Sequence, residues 1–269
     1  MYKERIERVL SKAEAMDALL ISDPYAIYYL LGKKISPGER FLALLLSRSG
    51  RPVLFLNSLF PFEQMEGLNL VNFSDTDDLV SVLRPYLNPD WILGVDKNLV
   101  ARFLLPMMES HLCKQFVLGS RAVDKVRAVK DETEKELMRK ASQINDAAMA
   151  EFRKLIKDGI SEKQVAAQLP DIYKRLGADD NSFDAIIAFG KNAADPHHMP
   201  DDTIVKEGDA VLFDVGCLYK GYCSDMTRTF FYKKGPDEEQ RKIYELVRKA
   251  NEDAEKMIRA GVKIGRAHV

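Results

Sequence analysis

Cysteine is scarce in this chain: three in 269 residues, an odd number. Cys113, Cys217 and Cys223 form no CxxC pair, so a disulfide framework is not expected and free thiols in a reducing cytoplasm are. Excess charge of one sign is also missing. The formal net charge is -1, and basic and acidic residues interleave, so no global field draws nucleic acid or an anionic membrane. Long apolar runs are absent; Phe41 to Leu46 is far too short to span a bilayer. The N-terminus, MYKERIERVLSKAEAMD, reads as an amphipathic charged helix without a secretory core. The first half contains neither GxGxxG nor GxxxxGK[ST], so nothing there invites a nucleotide.

Two domains fit the length. Residues 1–120 alternate helix and strand signals. Ile6, Val9, Leu10 and Ala13 mark one helix face, and Ala18–Ile21, Phe41–Leu46, Val53–Leu56 and Trp91–Val95 read as buried strands. Asp77–Leu87 and Leu99–Leu112 have helical spacing. The fold class expected is an α/β domain followed, after a charged connector at Arg121–Lys130, by an α+β domain. Asp131 with Glu134, and Ser161 with Gln164, have the spacing of capping boxes that open helices. A strand is expected over Phe183–Phe189, and an amphipathic helix over Asp237–Arg259.

Between them lies LFDVGCLYKGYCSDMTRTF, Leu212 to Phe230, which reads as a β-hairpin. With a loop at Tyr219-Lys220, Asp214 faces Asp225 directly, with Cβ atoms about 4.5–5.5 Å apart. Two carboxylates so placed repel, and burial raises the cost. A shared proton, a bridging arginine such as Arg228, or a divalent cation would each relieve it. Acids at a sheet end or on a solvated face remain the plainer alternative. Thr227 and Thr229 either support the carboxylates with hydroxyls or are there for β-propensity alone. Upstream, Pro196-His197-His198-Met199-Pro200 sets paired histidines in a stiff loop, either as an exposed polar turn or as a source of an imidazole for a substrate.

These segments together resemble a family. Val126–Met149, VRAVKDETEKELMRKASQINDAAM, is similar to the entry helix of the pita-bread metallopeptidases (M24), the group of Xaa-Pro dipeptidase (prolidase) and aminopeptidase P. Ser182–Gly190 followed by Pro196-His197 is similar to that family's substrate-side strand and histidine. Glu207-Gly208-Asp209, Phe213–Gly216 and Ser224–Phe230 resemble the segments that carry its first two metal ligands. Met16–Ile21 and Ile27–Leu30 resemble a creatinase-type N-terminal domain.

The resemblance implies that Asp214 binds one metal ion and Asp225 bridges two, Mn²⁺ before Co²⁺ or Zn²⁺, in a site that activates water. It implies that His197 stands beside the substrate, a proline-containing peptide cut before proline, with no role assigned to His198. It also implies homodimers. The family completes its site with one His and two Glu beyond this hairpin, whereas here the only histidine after Asp225 is His268. The chain is therefore expected to be an N-terminal fragment. On that reading 121–263 is the first half of the pita-bread domain and is poorly active by itself. Ile264–Val269, IGRAHV, matches what one frame of a common sequencing adapter would encode, so it is expected to be a non-native tail. A non-catalytic binding protein of the same fold and a metal-free, creatinase-like amidinohydrolase are the alternatives, both disfavoured by the paired acids. Methionine aminopeptidase is disfavoured by the first 120 residues.

Overall fold

The computed structural model describes residues 2–262. The expected tail at 264–269 lies outside them. The chain divides into two compact units, one ending at Lys130 and the other starting at Asp131.

The first unit is built on a mixed six-stranded sheet. Its elements are α1 (Lys3–Ser11), β1 (Ala18–Ile21), α2 (Pro24–Leu31), β2 (Leu42–Ser47), β3 (Val53–Asn57), β4 (Asn69–Phe73), α3 (Leu79–Leu83), β5 (Ile92–Val95), α4 (Ala101–Glu109), β6 (Gln115–Leu118) and α5 (Ser120–Ala128). The strand order is β4-β3-β2-β1-β5-β6. Strand β2 explains its own sequence. Leu42, Leu44 and Leu46 enter one apolar cluster, and Ala43 and Leu45 enter another on the opposite face. A strand buried on both faces has no polar side, so it reads as an unbroken apolar run. The α5 segment corrects the connector reading of Arg121–Lys130. Ala122, Val123 and Val126 are buried in the same cluster as Ile6 and Val9, so the charged residues cover only the outer face of a helix. Strands β4 and β6 escaped notice because polar or half-exposed residues interrupt them.

The second unit opens with α6 (Glu132–Leu155), capped by reciprocal bonds between Asp131 and Glu134. Helix α7 (Glu162–Ala166) carries the same box at Ser161 and Gln164. Such a cap contributes about 0.5–2 kcal/mol. Then come α8 (Leu169–Arg175), β7 (Asp180–Asn181), β8 (Ile186–Phe189), β9 (Ala210–Val215), β10 (Cys217–Tyr219), β11 (Tyr222–Cys223), β12 (Met226–Phe231) and α9 (Glu238–Met257). The strands form two antiparallel three-stranded sheets, β12-β9-β8 and β11-β10-β7. Val211, Phe213 and Val215 of β9 are buried in one cluster with Ala141, Ile144, Ala148 and Phe152 of α6. Phe213 stacks between Phe152, 6.2 Å away, and Phe230, 5.8 Å away. Asn145 is fully buried and satisfied: it donates to the Val215 carbonyl at 3.2 Å and accepts from the Tyr173 hydroxyl at 2.7 Å. Helix α9 carries a capping box at Asp237 and Gln240 but buries no residue, leaving Ile243, Leu246 and Val247 exposed. No described helix is long and apolar enough to cross a membrane.

The β9 and β12 strands meet the second sheet at Gly216. A Cβ there would run into the Ser224 carbonyl and the Ser182 hydroxyl, and would lie 2.8 Å from Phe183. Gly216→Ala is expected to cost about 1–3 kcal/mol, the usual penalty for overpacking. Urea unfolding should show a lower midpoint at unchanged slope. Gly235→Ala, where added bulk meets nothing, is the control, and equal midpoints for the two variants would contradict the packing described.

Candidate metal and substrate site

Tyr219 pairs with Tyr222, which makes the turn Lys220-Gly221. Both turn residues have positive φ, 47° and 84°. Two-residue hairpins favour such turns because their twist matches that of the strands, and glycine suits the second position. The expected loop at Tyr219-Lys220 is thereby corrected, and the register moves by two residues. Asp214 faces Thr227, not Asp225. Because side chains alternate with a period of two, a two-residue shift leaves every side chain on its original face. Asp225 therefore still shares a face with Asp214, but as a diagonal neighbour, just beyond the end of β12 and across from Gly216.

On β9 the residues that alternate with the core, Ala210, Leu212 and Asp214, lie on the other, half-exposed face. Asp214 is half-buried and Asp225 is exposed. Burial pushes the Asp214 carboxyl above the usual carboxylate range, and the Asp225 charge adds to the rise. A hydrogen bond with the Thr227 hydroxyl pulls the other way. One Asp214 oxygen, Oδ1, is buried without any hydrogen-bond partner. Arg228 does not bridge the acids. It pairs with Phe213, whose side faces the core, donates to the Thr227 carbonyl at 2.8 Å, and lines a groove with Asp146 and Arg153. Solvent reaches the exposed Asp225, so what stays unrelieved is the buried Asp214 oxygen, which a proton or a cation would satisfy. An unpartnered buried carboxylate oxygen beside a second carboxylate is a donor set suited to a hard divalent ion, so these residues fit the metal that the resemblance implies.

His197 sits elsewhere. A 3-10 turn, Gly190–Ala194, follows β8 and leads into the loop that carries it. Its imidazole is exposed, and its backbone N–H donates to the Asp195 carboxylate at 2.9 Å. No hydrogen bond among the described residues joins His197 to Asp214 or Asp225. Its neighbour His198 is tied down, with Nε2 2.6 Å from a Glu162 oxygen. Glu162, His198 and Asp201 bring possible ligand atoms within 4.8 Å of one another. Glu162, however, accepts two hydrogen bonds on each oxygen, from Phe189 and Asn192 on one and from His198 and Asp201 on the other. No lone pair is left for a cation, unlike at Asp214. Sequence reasoning missed Glu162 because it lies inside a capping box, where an acid in the first turn needs no further explanation.

The comparisons with known proteins agree with this architecture. The pattern of metallopeptidase family M24 matches residues 136–269, and that of the Creatinase/Prolidase N-terminal domain matches residues 5–129. An uncharacterized peptidase of Staphylococcus aureus (strain bovine RF122 / ET3-1) is 30% identical over 92% of this chain and 71% of its own length. The chain belongs to metallopeptidase family M24. The fold of this M24 peptidase is a creatinase-type N-terminal domain followed by a pita-bread domain. A prolidase from Thermococcus sibiricus superposes with a TM-score of 0.86 at 28% identity, over 97% of this chain and 74% of that one. An X-Pro aminopeptidase from Thermotoga maritima MSB8 gives 0.75 at 28% identity, over 96% and 73%. The M24 assignment makes the protein a hydrolase of a family that uses divalent metals.

Asp214→Asn tests the strain at this site. The raised carboxyl pKa means that the folded protein holds the Asp214 proton to higher pH than the unfolded chain does. The stability this confers is present at low pH and is lost as pH rises through the raised value. Asparagine mimics the protonated form. In EDTA at neutral pH the variant should melt about 2 °C higher, a small gain because water screens a partly exposed carboxyl. The difference should vanish towards the ordinary aspartate pKa of about 4. Added Mn²⁺ should raise the melting temperature of the parent and not that of the variant.

Proposed function

We propose that this M24 peptidase hydrolyses the peptide bond before proline, with Asp214 and Asp225 as metal ligands and His197 beside the substrate. The observation that carries the reading is the orphaned, buried Asp214 oxygen on the face that Asp225 shares. Divalent metal ions, when bound, supply Lewis acidity towards the peptide carbonyl and lower the pKa of water. Mn²⁺ would suit an all-oxygen pair better than Zn²⁺, and the resemblance implies two ions. Thr227, directly opposite Asp214 on β12, would help to orient it. His197, exposed and with no ring hydrogen bond among the described residues, would donate an N–H to the scissile carbonyl oxygen as that oxygen gains negative charge. The stiff backbone between Pro196 and Pro200 limits how far the imidazole wanders.

The substrates on this reading are proline-containing peptides, and no nucleic acid or membrane partner is invoked. Unpaired Cys113, Cys217 and Cys223 are consistent with a cytoplasmic location. Homodimers are part of the same proposal.

Two carboxylates fall short of the six or so ligands that a hard divalent ion takes. The resemblance implies one His and two Glu as the remaining ligands, and no residue of this sequence is assigned to those roles. The test is cleavage of an Xaa-Pro dipeptide and an Xaa-Pro tripeptide by this chain in excess Mn²⁺. Cleavage at the Xaa-Pro bond, reduced at least about a thousandfold by Asp225→Asn, is expected. The dipeptide-to-tripeptide ratio then separates a dipeptidase from an aminopeptidase. Cleavage at other bonds only, cleavage indifferent to Asp225→Asn, or no cleavage would overturn the proposal.

A further inference from the structure

Glu162 is an acid whose side chain is fully buried, and the chemistry above does not use it. A buried carboxylate is costly unless its oxygens are satisfied. Here the partners come from both sides of one loop. Upstream, the Phe189 N–H at 2.7 Å and the Asn192 amide at 3.0 Å donate to Oε1. Downstream, the Asp201 N–H at 3.0 Å donates to Oε2, and His198 Nε2 lies 2.6 Å from the same oxygen. Asn192 also donates to the Thr203 hydroxyl at 3.1 Å. Backbone bonds from the start of α7 complete the wrap, Glu162 N–H to Thr203 and Lys163 N–H to Asp201, both 3.1 Å. The loop from Gly190 to Thr203 is thus gathered around one carboxylate, and the exposed His197 is carried between its tethers. The His198 side chain is only 12% exposed, so the paired histidines have opposite fates: one is an anchor and the other is presented.

We propose that Glu162 is a positioning residue for His197: through His198, Asn192 and the flanking amides it holds the loop that presents the His197 imidazole to substrate. The inference rests on the peptidase reading for what His197 does, but not for how the loop is held. Glutamine at this position keeps the size of the side chain and turns an acceptor oxygen into a donor, which then faces N–H groups on at least one side. The carboxylate is thereby distinguished from a merely polar filler.

The test uses the whole chain and four proteins: parent, Glu162→Gln, His198→Leu and His198→Gln. The last retains a donor able to reach Glu162. Native-state hydrogen exchange over residues 189–203 and the NMR resonances of the His197 ring are the readouts. Glu162→Gln and His198→Leu should speed loop exchange about tenfold or more and move the His197 ring signals to solvent-averaged values, with β9 and β12 unchanged. His198→Gln should restore both readouts. Loop exchange within about twofold of the parent in Glu162→Gln, or a uniform rise through β9 and β12, would overturn the proposal. So would His198→Gln behaving like His198→Leu. Where Xaa-Pro cleavage is measurable, the kcat lost in Glu162→Gln should disappear when the change is made in a His197→Ala background, a coupling that general destabilisation would not produce. Additive losses would count against the proposal. Absence of cleavage in the parent would count against the peptidase reading alone, leaving loop exchange to decide the role of Glu162.

Discussion

The positive φ angles at Lys220 and Gly221 govern the placement of every side chain along the hairpin. They make a two-residue turn whose twist suits the strands, and the register follows from it. Thr227 is thereby set opposite Asp214, Asp225 is carried past the end of β12, and Gly216 is left where the chain passes from one sheet to the next. Only glycine fits there, against Ser224, Ser182 and Phe183. The α6 core on one face of β9 and the acids on the other are two consequences of the same alternation. Phe213 cannot stack on Phe152 without Asp214 pointing away from it.

The contrast between Glu162 and Asp214 is electrostatic. Glu162 is buried more completely than Asp214, yet four donors surround it. Asp214 is less buried but keeps an oxygen with no partner, and a second carboxylate lies nearby. A fold can hold a satisfied carboxylate in its interior as a structural tie. An unsatisfied one carries a standing cost, which is offset when something positive arrives. The same physics thus separates an acid that organises a loop from one suited to a ligand. Glu162, His198 and Asp201 stand close enough to share a cation, yet the donors around Glu162 already occupy its oxygens.

Much of the fold was legible because local signals were strong. The capping pairs Asp131/Glu134 and Ser161/Gln164 both open helices. The apolar run at Phe41–Leu46 marked a strand buried on both sides. Strand β4 and strand β6 were not legible, since parallel pairing with β3 and β5, rather than their own residues, makes them strands. Arg121–Lys130 misled because its charges are on the surface of a helix whose apolar face is completed only by α1. At the site, Asp214 and Asp225 stood out as acids in an apolar setting. His198 and Glu162 did not, because the residues they join are far apart in the chain.

Residue types and their spacing alone determined the two-domain division in outline, the helix starts, the alternation of β9, and the presence of two acids on one face of the hairpin. These are local properties, set by propensity, capping and periods of two and of about 3.6. Tertiary structure alone decided the hairpin register, the charge environment of Asp214, and the gathering of residues 189–203 around Glu162. The last two depend on which distant groups supply, or fail to supply, a hydrogen bond to a buried carboxylate oxygen; the register depends on the backbone of a two-residue turn that residue types alone did not locate.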